Sequence, residues 1–267
     1  MTVGIPSIKK EAKAALNGKW VSAIIASLTV LFSFFIIYNI GWAISLVIGD
    51  VASSFIAVVL SVVLCGPLML GVIRFFWRMF GGMAETPATV FYYFSSLRSF
   101  YKVLKLCFML AIRLFAFAVI YYLPAILLYV ISSPDLYEFL KMPIPLWSQH
   151  LSYLVNLLSS LGGVLTLFSL LKFYLAPVLV IADDQMDIEE ALLMSTVISK
   201  TAITDFVFLV FSLILWIIIS LLYIPLLFTL PYFVMCYTVH ALYAIKDYNQ
   251  KIESINGDNS PSYVAGI

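Results

Sequence analysis

Asp183, Asp184 and Asp187 stand in the run Asp-Asp-Gln-Met-Asp, a DDxxD. Carboxylates at that spacing can share Mg²⁺ ions and through them hold a diphosphate. On a helix, Asp183, Asp187 and Glu190 would share a face. The chemistry this pattern offers is a Mg²⁺-dependent transfer acting on a diphosphate-bearing lipid precursor. The same acids also suit a blander role, an acidic turn at the start of a helix, where negative charge meets the positive end of the helix dipole.

The surrounding residues do not complete an enzyme motif. Intramembrane prenyltransferases carry two Asp-rich motifs, and this chain has no second one. In the DxxDGxxAR pattern of CDP-alcohol phosphotransferases, Ile188 stands where Gly is needed and Leu192 where Arg is needed. Downstream only Asp205 is available. Glu189-Glu190 opens an EExxxR-like run of the intramembrane prenyl-endopeptidases, but residue 194 is Met. There is no HExxH, GxSxG or P-loop, and His150 and His240 are the only histidines. The sequence therefore reads as non-enzymatic, and it implies no cofactor.

A second constellation is cationic. Arg74, Arg78 and Lys105 flank one inter-span segment, and Arg113 lies about eight residues inside the next apolar run. Arginine at that depth either snorkels back to the surface or takes part in a site. With Arg74, Arg78 and Lys105 it would form an anionic headgroup site, since basic pockets near the membrane surface bind anionic lipids. A third feature is a stripe of small residues, Ser159, Gly162, Gly163, Thr166 and Ser169. It suits close helix packing in lipid, or the wall of a substrate path. Asn156 lies near its outer end, and His240 is expected to hold a hydrogen-bonded packing position.

The composition says where these groups must sit. Hydrophobic residues are 63% of the 267 and charged residues 11%, against roughly 45–50% and 25% in soluble domains. This is a polytopic membrane chain. The net charge of +1 gives no global basic excess for nucleic acid. Cys65, Cys107 and Cys236 lie singly in apolar runs, which argues against a disulfide framework or a zinc site. The first apolar run starts near Trp20 and exceeds the roughly 7–15 residues of a signal-peptide core, so it reads as a retained span.

Six runs reach the roughly 20 residues a spanning helix needs. They cover about 21–43, 53–76, 104–131, 151–181, 206–225 and 228–246, with a tight link between Pro225 and Pro231. Apart from Lys141 and Arg113, the basic residues fall toward one side of these spans, which the positive-inside rule makes cytoplasmic, with both termini. Three amphipathic segments precede the odd spans: Ser7 to Gly18, Thr86 to Arg98, and Asp187 to about Lys200. Each would lie in the interface with an apolar face in lipid. In the first, Ser7 would cap the start and Gly18 the end. The expected fold is all-α: six transmembrane helices as three hairpins, each preceded by a cytoplasmic interfacial helix. Residues 1–246 would form one domain, 1–19 being the N-terminal interfacial helix, and 247–267 a polar disordered tail.

Taken together, several segments resemble an uncharacterised bacterial membrane family catalogued as domain of unknown function 975. They are SIKKEAKAALNGKW (Ser7 to Trp20), LGVIRFFW (Leu70 to Trp77), FYYF, FYLAPVLVIADD (Phe173 to Asp184), IEEALLMS (Ile188 to Ser195) and LPYFVMCYTVHALY (Leu230 to Tyr243). That family is similar to the membrane region attached to some glycerophosphodiester phosphodiesterases. The chain departs from the family pattern in STVISKTAITDF and in YIPLLFTLPY. The resemblance implies six helices in a bacterial cell membrane, and an Ala-Asp turn before a helix in place of a metal motif. It brings no activity and no catalytic residues. The leading expectation is a non-enzymatic membrane protein that engages anionic lipids or envelope partners through its cytoplasmic basic belt. Its partners would be membrane lipids, further copies of the chain or other membrane proteins. Small transporter or channel-like carrier is the alternative, and the lipid-diphosphate transferase the third.

Overall fold

A computed structural model of the chain describes residues 4–83, 85–139, 141, 143, 148–220 and 225–256. Among them the structure is all-helical, with no strand. The α-helices are α1 (Ile5–Leu16), α2 (Trp20–Ile48), α3 (Asp50–Leu60), α4 (Gly66–Phe80), α5 (Leu97–Ser132), α6 (Pro134–Phe139), α7 (Ser148–Leu170), α8 (Ala176–Ala182), α9 (Ile188–Ser220) and α10 (Leu226–Asn256). A π-helical turn, Ser61–Cys65, joins α3 to α4, and 3₁₀ helices cover Pro87–Phe94 and Leu171–Phe173.

Six stretches are long and apolar enough to cross a membrane: Trp20–Val47, Val51–Phe80, Leu97–Ser132, Leu151–Ala182, Ile188–Trp216 and Leu226–Ile252. This is the architecture of a multi-pass membrane protein. Several helices exceed the bilayer. α5 has 36 residues, about 54 Å at 1.5 Å per residue, against a hydrocarbon core of about 30 Å. The surplus carries charge: Arg98, Lys102 and Lys105 lie in its first turns.

The elements differ from the sequence expectation where a local group competes. α1 starts at Ile5 after Gly4 as its N-cap, with Pro6 in the first turn, so Ser7 lies inside the helix and does not cap it. Pro fits there because its missing N–H has no partner in a first turn. α1 ends at Leu16, and Gly18 follows at φ 74°, a left-handed conformation that suits glycine. The second amphipathic segment is the 3₁₀ helix Pro87–Phe94, not an α-helix to Arg98. The third is no separate element, because α9 runs unbroken from Ile188 to Ser220. Nothing there interrupts it: no Pro or Gly stands between Ile188 and Ser220. The run expected as one span over about 151–181 breaks at the 3₁₀ turn Leu171–Phe173, and Pro177 sits in the first turn of α8. α10 continues to Asn256, into the segment read as a tail; residues 257–267 and 221–224 lie outside the described residues.

The chain divides into two compact units, Met1–Cys107 with Tyr174–Ile267, and Phe108–Phe173. The core of the first gathers Phe75 and Phe76, in edge-on contact at 5.3 Å, with Leu209, Leu213, Met235 and Val239. α1 belongs to that core. Ile8, Ala12 and Leu16, spaced i, i+4, i+8 on one helix face, are buried in it. Lys9 Nζ donates to the Ser212 carbonyl at 2.9 Å, and the Tyr243 hydroxyl donates to Glu11 at 2.7 Å. The apolar face of α1 is therefore covered by protein and not by lipid.

Two close approaches fix α4. A Cβ on Gly71 would stand 1.9 Å from the Val90 carbonyl oxygen, so only glycine lets the 3₁₀ helix lie backbone-on against α4. Near Gly66 the Cys107 Sγ would lie 2.7 Å from an added Cβ, which brings the first part of α5 against α4. The π turn just before has a cause in sequence. Pro67 has no N–H for the Val63 carbonyl, and its ring crowds that turn.

Candidate functional site

The DDxxD and part of the cationic set, separate in the sequence, meet in the first unit. α8 ends at Ala182 and the chain turns into α9. The Asp183 Oδ1 accepts from the Gln185 N–H at 2.8 Å, closing that turn locally. Arg74 Nη1 donates to the Asp184 carboxylate at 3.3 Å. Lys102 Nζ donates to the Asp184 backbone carbonyl at 2.8 Å. Lys105 Nζ pairs with Asp187 Oδ1 at 3.0 Å. The other Asp187 oxygen accepts from the Glu189 N–H at 3.3 Å, and its carbonyl takes the Ala191 N–H, the geometry of a helix N-cap. The Lys105 ammonium, with the N–H groups of Ile188 and Glu189, holds the Asp187 carboxyl below its usual range.

The three carboxylates thus have separate partners: a turn N–H, an arginine and a lysine. Among the described residues no group of three or more His, Cys, Asp or Glu side chains is placed to hold a metal ion.

Arg74 is the centre of the cluster. Its guanidinium carbon lies 3.7 Å from the centroid of the Tyr92 ring, a cation–π stack, while an edge reaches Asp184. Its side chain is 11% exposed, that of Asp184 55%. The neighbouring Tyr93 is buried, and burial pushes its phenol up to about 12 against the downward pull of Arg74. It stays a neutral hydroxyl at physiological pH.

Beside the cluster opens a cavity of about 160 Å³, several times the ~30 Å³ share of one water. Tyr92, Arg98, Ser99, Lys102, Asp184 and Gln185 are among its lining residues. Its cations, Arg98 and Lys102, outnumber its one acid. Arg98 is exposed and its guanidinium makes no ion pair or hydrogen bond among the described residues. The cavity also sits at the start of α5, where Ser96 Oγ accepts the Ser99 N–H at 3.2 Å. A helix start adds partial positive charge. The arrangement suits a small anion such as a phosphate group.

The remaining candidates lie elsewhere. Arg78 pairs with Glu85, which also accepts from the Thr89 hydroxyl, so it ties down the segment after α4 and does not line the cavity. Arg113 belongs to the second unit, its guanidinium carbon 5.2 Å from the Phe173 ring centroid. Of the four residues of the expected headgroup site, Arg74 and Lys105 enter the acidic cluster, Arg78 pairs with Glu85, and Arg113 stands beside Phe173 within the second unit. In the second unit Gly162 lies against the Tyr121 carbonyl, an added Cβ falling 2.9 Å from it. Gly163 faces the Tyr122 hydroxyl, and Ser169 Oγ meets the Tyr121 hydroxyl at 2.9 Å. Thr166 bonds its own helix at the Gly162 carbonyl, Ser159 is half-buried, and Asn156 is exposed. His240 is buried among the rings of Tyr174 and Phe206, and its Nδ1 has no hydrogen-bond partner among the described residues. Its packing is aromatic, not the hydrogen-bonded kind expected.

Sequence reasoning left Arg98, Lys102 and Tyr92 out of the candidate set. Arg98, Lys102 and Lys105 follow i, i+4, i+7 spacing, which puts three cations on one helix face. That spacing was the available signal.

The chain matches no family model, no curated protein and no solved structure.

Proposed function

We propose that the protein is a non-enzymatic integral membrane protein that binds the phosphate of an anionic lipid headgroup in the cavity at the start of α5. The observation that carries this reading is Arg98, an unpaired guanidinium at the rim of a cavity that already holds Lys102 and a helix start. The neighbouring cations are neutralised by Asp184 and Asp187, which leaves a small surplus at one place instead of a diffuse belt. The resemblance to domain of unknown function 975 and the bias of Lys and Arg support a bacterial cell membrane with this cavity and both termini on the cytoplasmic side. α1 and the 3₁₀ helix are then elements of that face. Envelope partners would meet the same basic surface.

The test is native mass spectrometry of the detergent-solubilised full chain with phosphatidic acid and with phosphatidylcholine. Arg98→Ala and Lys102→Ala each lose the phosphatidic acid adduct, and Arg78→Ala, whose residue is held by Glu85, keeps it. Equal retention by wild type and Arg98→Ala overturns the reading.

A further inference from the structure

The 3₁₀ helix Pro87–Phe94 has a second cavity on its other side. It is a groove of about 320 Å³ lined by Ile36, Ile40, Leu60, Leu64, Phe91 and Phe94, among others, within the roughly 300–1,000 Å³ range of small-molecule sites. Three residues per turn put Phe91 and Phe94 in register on one edge of that helix, with Tyr92 turned away toward Arg74. The remaining wall comes from α2, the end of α3, the π turn and α4, which are parts of two membrane-crossing stretches. The one hydroxyl in the lining, Ser33, donates to its own helix at the Thr29 carbonyl, 2.7 Å away. Among the described residues no lining side chain is left to donate to a polar group. Its rim residues are open, with Ile36, Ile40, Leu64 and Phe91 between 37% and 52% exposed.

The groove and the cationic cavity are neighbours, lined by different residues of the same 3₁₀ helix and linked by one aromatic contact. The Phe94 ring lies 5.6 Å from that of Phe100, and Phe100 stands on α5 between Arg98 and Lys102. A molecule that satisfies both needs an anionic end and an apolar chain. We infer that a single anionic membrane lipid occupies both, with its phosphate at Arg98 and Lys102 and one acyl chain in the groove beyond Phe94. This rests on the phosphate reading above and adds to it: the site selects a whole lipid, not a free phosphate ion.

The experiment uses two probes on the full chain in detergent. Dioleoyl phosphatidic acid is followed by native mass spectrometry, and glycerol 3-phosphate, which has no chain, by saturation-transfer NMR. Leu64→Trp fills the groove; Ile40→Trp is the second variant, and each is first checked for an unchanged melting temperature. The expected result is a loss of phosphatidic acid binding by about tenfold or more, the worth of roughly two buried methylenes, with glycerol 3-phosphate binding unchanged. Arg98→Ala loses both probes. If both groove variants bind dioleoyl phosphatidic acid like wild type, the chain lies elsewhere; the inference falls and the phosphate reading stands. If Arg98→Ala binds both probes normally, the phosphate reading falls and this inference with it. If wild type is an oligomer that Leu64→Trp splits into monomers, the groove is an interface between copies and the inference is overturned.

Discussion

Arg74 and Asp184, 110 residues apart in the chain, meet at 3.3 Å. Each looks functional alone: Arg74 as a lipid contact, Asp184 as a metal ligand. Together they are an ion pair that holds the middle of α4 to the turn between α8 and α9. The pair is lopsided, since Arg74 is nearly buried and Asp184 half exposed. Exposed pairs are worth little, so the aromatic face beneath Arg74 matters as much as the acid beside it.

The stack of Arg74 on Tyr92 should therefore be measurable. Arg74→Ala and Tyr92→Leu each lower the melting temperature in detergent, and the double variant loses less than their sum. The coupling expected is about 0.5–2 kcal/mol, the range for cation–π contacts from exposed to desolvated. Strictly additive losses in tryptophan-fluorescence melts would remove the stack from the account.

Gly71, inside α4, and Gly81, just past its end, should respond oppositely to alanine. At Gly71 the new Cβ would meet the Val90 carbonyl at 1.9 Å, a backbone atom with nowhere to turn. Overpacking of that kind costs about 1–3 kcal/mol, and the 3₁₀ helix must lift from α4. At Gly81, φ is −67° and the nearest atom to a new Cβ is 3.5 Å away. There Ala restricts the unfolded chain and stabilises by about 0.4–1 kcal/mol. Equal melting temperatures for Gly71→Ala and wild type would show that the 3₁₀ helix is not seated as described.

Asp187 carries a pH dependence whose sign is fixed by its partners. Lys105 and two N–H groups hold its folded carboxyl below the unfolded value of about 3.9. Its stabilisation is complete above that value and is lost as pH falls through the folded one. Asp187→Asn removes the effect, so wild type and variant melting temperatures converge on acidification below about pH 4. A gap that stays constant down to pH 2 would contradict the pairing.

The spans were legible because roughly 20 apolar residues in a row leave little choice in a bilayer. Helix junctions were less so, since they turn on single groups. Pro67 produces a π turn inside a span, and the uninterrupted sequence after Ile188 lets α9 absorb an expected separate helix. At the site, the residue types were legible and their partners were not. Arg74, Lys102 and Lys105 find Asp184 and Asp187 across some eighty to a hundred and ten residues of chain. Charge alone cannot say whether a cation will meet a lipid or an acid of its own chain. Arg98, which meets no acid, stands only one helical turn before Lys102.

α1 offers a test of whether an amphipathic helix is covered by protein or by lipid. Ala12 is fully buried and Leu16 likewise, in a core with Phe75, Phe76 and Val239. A helix lying on lipid would welcome a larger side chain at Ala12, because added apolar area strengthens interfacial binding. In a packed core the same change is overpacking. Ala12→Leu should therefore destabilise by about 1–3 kcal/mol, and Leu16→Ala by about 2–5 kcal/mol through the cavity it leaves. Lys13→Gln, on the exposed face, should stay within about 0.5 kcal/mol of wild type. Melting temperatures of the three variants in one detergent decide it. A rise for Ala12→Leu would return α1 to the lipid surface.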